Sequence, residues 1–339
     1  MDPLTHALAA YTLKRAAFPR LSRAATIAIV LAGTVADIDF LSSYFGPSAY
    51  LTFYRTYFHS VLAAVIIAAL AALPFLFRKH EPPNETFSPR IIFFAALAAA
   101  LLHLLLDLCQ TSGVEQFWPF SSRRFALDYL AHFDLWIFTF LLAGLLLPQL
   151  SRLVSEEIAS KSKKPGGRVG ATLTLAALVL YVLLRMTMHG NAIAALESRS
   201  YRGESPRRVA AFAESSSPFL WSGIVETERA LHTVDINVGP GANFDPESAI
   251  NIYKPEPSVA LDAARDSAVG RRFLQSARFP KASVERIPAG FRVTLQSFPY
   301  ARDARSTPQV QALIDTSPSG QILSQHLTWD DLSRQSALE

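Results

Sequence analysis

Four stretches of this chain run for sixteen to eighteen residues with no Asp, Glu, Lys or Arg, and they limit its fold more than any other feature. Residues 60–77, 135–150 and 169–184 contain no charge, and residues 91–106 are interrupted only by His103. Each lies near the lower limit of the roughly 20 apolar residues that cross a bilayer core, so each is expected to be a spanning helix. A fifth stretch, 22–40, is apolar through Ala36 but finishes in Asp37 and Asp39, and its last turn cannot face lipid. A chain of 339 residues that is 50% hydrophobic and only 18% charged does not read as uniformly soluble. Asp2 and His6 precede any positive charge and no small-residue cleavage site follows, so the start is not expected to be a removed signal peptide.

Charge sets the expected orientation. The net +4 is carried by residues 1–195, with 16 Lys/Arg against 11 Asp/Glu, while residues 196–339 have 16 against 17. That excess suits loops beside membrane helices, and nucleic acid is not an expected partner. Residues 14–23, 78–90 and 152–168 hold 12 Lys/Arg together, whereas the alternate connections hold three, Arg55, Arg123 and Arg124. The first group, with His80 among it, is expected in the cytoplasm and the tail outside. In that tail, residues 225–238, 291–298 and 321–328 alternate or are β-branched between turn residues, which predicts strands. The expected fold is mainly α: a polytopic membrane helix bundle over 1–190, then a small soluble mixed α/β domain over 191–339.

With this topology the polar residues of the bundle gather at one level. Asp37 and Asp39 end one span there, His59 begins the next, His103 and Asp107 end the third, and Asp128, His132 and Asp134 begin the fourth. His103 and Asp107, at i and i+4, share a helical face and can hold one cation. Asp37 and Asp39, at i and i+2, serve one site only if the helix unwinds. His6 reaches the same level if residues 3–18 and 22–40 form a hairpin, since His6 and Asp37 then differ in height by only about 5 Å at the ordinary helical rise. The single cysteine, Cys109, rules out an intramolecular disulfide and any multi-cysteine metal site, so a metal must sit among His and carboxylate. Cys109 itself reads as a packed apolar residue, and His132, His189, His232 and His326 have no motif that assigns them chemistry.

The pieces Leu4-Thr5-His6, Ala36-Asp37-Ile38-Asp39, His59-Ser60, His103-Leu-Leu-Leu-Asp107, Trp118-Pro119-Phe120-Ser121 and Arg124-Phe-Ala-Leu-Asp128-Tyr129 occur in that order. In order and spacing they resemble the YdjM-like family of LexA-regulated, membrane-bound metal-dependent hydrolases, closely over residues 1–150. The resemblance implies a multi-helix inner-membrane protein, a His/Asp metal centre, hydrolase activity and kinship with zinc-dependent phospholipase C and nuclease folds. Two positions depart from the pattern: Tyr54 stands where a histidine is expected in the motif before His59, and Ala36 where a proline is expected.

Two function classes follow. In the first, His6, Asp37, Asp39, His59, His103 and Asp107 cage a divalent metal, with zinc suiting the mixture, and metal-activated water attacks an ester or phosphoester of a membrane lipid or lipid-linked substrate at the outer headgroup level. Asp128, Asp134 and Arg55 are then the candidate catalytic residues around the cage, Arg55 as a hold on phosphate. In the second, the same layer is a structural metal or ion-pair network, or part of a transport path, with a partner-binding outer domain. One cation needs about four ligands and six are on offer, which favours the first.

Overall fold

The computed structural model describes residues 1–77, 88–157, 167–241, 244–297 and 309–330. Most of the basic loops 78–90 and 152–168, including His80, and the last residue of the expected strand 291–298 lie outside the described residues. The chain divides into two compact units: Met1–Asp39, Arg55–Thr187 and Ser215–Pro218 form the first, and Phe40–Tyr54, Met188–Glu214 and Phe219–Glu339 the second.

The first unit is helical. Helix α1 (Pro3–Ala17) opens on Asp2, whose carboxylate accepts the Thr5 N–H at 2.9 Å, and closes on Lys14 and Arg15, both favourable to the helix dipole. After a turn at Pro19, Ser22 caps α2 (Arg23–Ala32) by accepting from Ala25 N–H at 3.1 Å. The expected span 22–40 is not one helix. It breaks after Gly33 into a 3-10 helix, Val35–Phe45, bent by 46° from α2. Helix α3 (Pro47–Phe53) follows in the second unit.

Helix α4 (Val61–Ala72) is shorter than the expected 60–77, because Pro74 lacks the N–H that would continue it and Leu73–Phe77 tighten into a 3-10 turn. Helix α5 (Pro89–Leu108) is the hub, packing on α1, α2 and α4. Its buried stripe is Ala95, Ala96, Ala99 and Ala100, small enough for backbones to approach closely. Helix α6 (Leu135–Glu157) and helix α7 (Gly167–Glu197) complete the unit, α7 continuing into the second. Gly144 of α6 sits where a Cβ would fall 1.7 Å from Thr174 Oγ1 of α7. The expected span 169–184 extends to 31 residues because Arg185 does not end it: the guanidinium is buried and donates to the carbonyls of Tyr129 and Ser217, both at 2.9 Å.

Helices α5 and α7 are long and apolar enough to cross a membrane, and the bent pair of α2 with its 3-10 continuation makes a third candidate. The apolar segment Val61–Phe77 falls short by length, and α6 is apolar over Leu135–Ser151. Phe94, Leu105, Leu173 and Leu180 point outward, more than half exposed, as side chains facing lipid do.

The second unit holds two antiparallel meanders. Strands β1 (Arg208–Ala213), β2 (Leu220–Glu226), β3 (Ala230–Asn237) and β4 (Ile250–Tyr253) form one sheet in chain order. Helices α8 (Val259–Asp266) and α9 (Ala268–Ser276) precede the other, β5 (Pro280–Ile287), β6 (Gly290–Ser297), β7 (Val310–Thr316) and β8 (Ile322–Trp329). Leu261 and Phe273 pack on Val293, Leu295, Ala312 and Ile314, and the register sets Val293 opposite Ile314 and Leu295 opposite Ala312. The expected strand 225–238 is a hairpin: β2 ends at Glu226 and β3 starts at Ala230. At the β5–β6 turn Gly290 takes φ 146°, and a Cβ there would lie 2.0 Å from the Thr316 carbonyl oxygen.

Candidate metal centre

Asp107 sits on the last turn of α5, fully buried, and the site is built around its carboxylate. One oxygen is crowded with donors. Oδ1 takes the Met1 ammonium, Gln110 Nε2 at 3.1 Å and Arg55 Nη2 at 3.3 Å, and His6 Nε2 lies 3.2 Å away. The other oxygen, Oδ2, has no hydrogen-bond partner among the described residues. It lies 3.0 Å from His59 Nε2 and 3.4 Å from His103 Nε2. One oxygen is anchored and the other is presented.

His103, one turn earlier on α5, has its proton placed by the backbone. Nδ1 lies 3.0 Å from the Gly33 carbonyl, which can only accept, so Nδ1 carries the hydrogen and in the neutral ring Nε2 is the nitrogen with the lone pair. His59 precedes α4, with Nδ1 2.8 Å from Asp39 Oδ2, though off the line of a straight hydrogen bond, and Nε2 only 3.3 Å from His103 Nε2. His6 stacks on His103 with centroids 3.7 Å apart.

The two aspartates of the 3-10 helix divide their work. In an α-helix i and i+2 point about 160° apart, whereas three residues per turn narrow this to about 120°. Asp37 Oδ1 lies 3.8 Å from His59 Nε2 and 3.7 Å from His103 Nε2. Asp39 Oδ2 backs His59 instead and accepts the Arg55 N–H at 2.7 Å. The second oxygens of both, Asp37 Oδ2 and Asp39 Oδ1, are buried without a hydrogen-bond partner among the described residues.

These donors suit a cation. Ligand atoms of His6, Asp37, His103 and Asp107 all lie within 4.8 Å of one another. The Nε2 atoms of His59 and His103 are 3.0 to 3.8 Å from Asp37 Oδ1 and Asp107 Oδ2. A tetrahedral zinc with N and O ligands at its usual bond lengths separates them by roughly 3.3 to 3.4 Å. Buried carboxylate oxygens and a facing imidazole lone pair are costly when nothing positive lies between them. The same groups also form a salt-bridge network through Arg55 and the Met1 ammonium.

The remaining sequence candidates are placed as follows. Arg55, buried with φ 58°, is tied to Asp107 and to Gln110 Oε1 at 3.0 Å. Asp134 caps α6, accepting from Trp136 and Ile137 N–H at 3.1 and 3.2 Å and from Tyr181 Oη at 3.0 Å. Asp128 is buried in a left-handed conformation, φ 63°. Arg124 pairs with Glu115 at 3.2 Å. Gln110, the Met1 ammonium and the Gly33 carbonyl were not expected at the site. Gln110 stands at i+3 from Asp107, a spacing that marks it as a neighbour; the other two are backbone groups with no residue signature.

The profile of the YdjM inner membrane protein family matches residues 1–192, which include every residue of this cluster. The chain is a member of that family. No curated protein and no solved structure matches it. The family name and the two or three long apolar helices agree on an inner-membrane protein. The YdjM region ends inside α7, so both β-sheets lie beyond it. Within it, Tyr54, at the position where the resemblance implies a histidine, stacks on Tyr50 with centroids 4.5 Å apart.

Proposed function

We propose that this protein is a membrane-embedded metal-dependent hydrolase that acts on an ester or phosphoester of a membrane lipid or lipid-linked substrate. The observation that carries the reading is the facing pair of imidazole nitrogens beside the undonated Asp107 oxygen, 3.0 and 3.4 Å away. His59, His103, Asp37 and Asp107 hold the cation, with His6 beside them, and the nitrogen and oxygen donor set suits zinc. A divalent cation there acidifies a bound water and polarises an ester or phosphoryl oxygen. The protein's own groups do the rest. The Gly33 carbonyl keeps the His103 proton on Nδ1, Asp39 lies against His59, Arg55 and Gln110 hold Asp107 in place, and burial excludes bulk water from the donors.

A second reading follows from Arg55 and the Met1 ammonium at Asp107: a closed ion-pair network with no chemistry. Elemental analysis of the detergent-purified full chain separates the two. Stoichiometric metal is expected in the wild type and is expected to be lost in His103→Ala, together with release of headgroup from phospholipid vesicles. A wild type free of divalent metal would select the ion-pair network.

In the orientation we propose, 78–90 and 152–168 are cytoplasmic and the sheets of the second unit extracytoplasmic, from the twelve-to-three bias of Lys/Arg. Cysteines introduced singly in the sheets of a Cys109→Ala background are expected to label with an impermeant maleimide in spheroplasts. Labelling only after the inner membrane is permeabilised would reverse the orientation.

A further inference from the structure

Residues 40–54 leave the metal centre at Asp39 and return to it at Arg55, yet they belong to the second unit. The neck of this excursion is closed by the Arg55 N–H donating to Asp39 Oδ2 at 2.7 Å. Both neck residues support the centre: Asp39 lies 2.8 Å from His59 Nδ1, and Arg55 Nη2 lies 3.3 Å from Asp107 Oδ1. What holds the segment therefore bears on where His59 and Asp107 stand.

Within itself the segment has the ring contacts of Tyr54 with Tyr50 and Phe40. Its one α-helix, α3, has 7 residues, and isolated helices shorter than about 12 residues are marginal in water. Further contacts come from the C-terminal fold. Arg272 of α9 donates to the Ser48 carbonyl at 3.2 Å and to the Thr52 hydroxyl. Trp329 of β8 meets the Tyr50 ring edge-on at 5.5 Å, and Leu51 packs against the core formed by Leu261, Phe273 and Ile314. These contacts join residues more than 200 positions apart, and their C-terminal partners lie outside the family match.

We infer that the C-terminal β unit is a positioning element for the metal centre: through Arg272, Trp329 and the seat of Leu51 it orders residues 40–54, and so sets Asp39 and Arg55 against His59 and Asp107. The inference rests on the metal reading above and assigns a role to the part of the chain that the family does not cover. Arg272 and Trp329 touch no metal donor, so they position and do not catalyse.

The test is Co²⁺ titration of metal-depleted full-length protein in detergent, followed by the visible absorption of the bound ion. Residues that orient metal ligands typically change affinity by about 10- to 100-fold, and Arg272→Ala combined with Trp329→Ala is expected to weaken Co²⁺ binding by about tenfold and to alter the band shape. Arg272→Lys, retaining Trp329, is expected to keep most of the affinity. Lys254→Ala, which breaks a 2.8 Å pair with Glu226 elsewhere in the same unit, is expected to leave it unchanged. If the wild type binds Co²⁺ and the double variant binds it equally well, the positioning role is wrong, even if the variant melts earlier. Equal weakening by Lys254→Ala would also overturn it. A wild type that binds no Co²⁺ overturns the metal reading and this inference with it.

Discussion

Asp107→Ala is expected to remove the bound metal and to destabilise the first unit by about 3 to 5 kcal/mol, the usual cost of leaving a buried charge without its partner. The size follows from what the carboxylate does. Oδ1 neutralises the Met1 ammonium and the Arg55 guanidinium, both buried, and also accepts from Gln110. Alanine leaves two cations in a low-dielectric interior with no carboxylate between them. Asp37→Ala also removes a carboxyl group from the cluster and is expected to behave differently. Its Oδ1 is no closer than 3.7 Å to either imidazole, and its Oδ2 has no hydrogen-bond partner among the described residues. Metal should be lost while thermal unfolding in detergent, followed by helical circular dichroism, moves little. If Asp37→Ala proves as destabilising as Asp107→Ala, with no metal in the wild type, the cluster is structural.

The second large effect is expected in the other unit. Phe273 is 2% exposed and fills the space between α9 and the second sheet, so Phe273→Ala should cost about 3 to 5 kcal/mol in lost burial and residual cavity. It is the neighbour of Arg272, and loosening α9 frees residues 40–54 as well. Denaturant unfolding followed by the sheet signal, with metal content measured on the same sample, checks both outcomes. A loss below about 1 kcal/mol would mean that the core collapses around the gap.

That His103 and Asp107 meet was legible because their spacing is local. His103 and Asp107 stand one helical turn apart, and the requirement that the helix carrying Asp37 and Asp39 unwind is met by the 3-10 helix after Gly33. The division of labour between those two aspartates was not legible, since it depends on which imidazole nitrogen each one faces. Nor was the membership of residues 40–54 in the second unit, which is decided by Arg272 and Trp329 far along the chain. The β2–β3 hairpin hid inside an apparent single strand because its turn, Thr227-Glu228-Arg229, contains no Gly, Pro, Asn or Asp to announce it. Helix α7 outran its apolar stretch because Arg185, which by composition should mark the boundary, is satisfied by two carbonyls within the fold.

The bond from His103 Nδ1 to the Gly33 carbonyl bears on how this site tolerates genetic change. Any side chain that fixed the imidazole could be lost in one codon, but a peptide carbonyl is common to all twenty residues and cannot be mutated away. Selection can act on it only by moving the backbone. Gly33 is where that vulnerability lies, because a methyl group added there would meet Ala10 Cβ at 2.7 Å and Ala99 Cβ at 3.4 Å. Three small residues, one on α1, one on α5 and Gly33 just past the end of α2, thus guard a single proton, and drift toward bulk at any of them would reach the histidine without touching it.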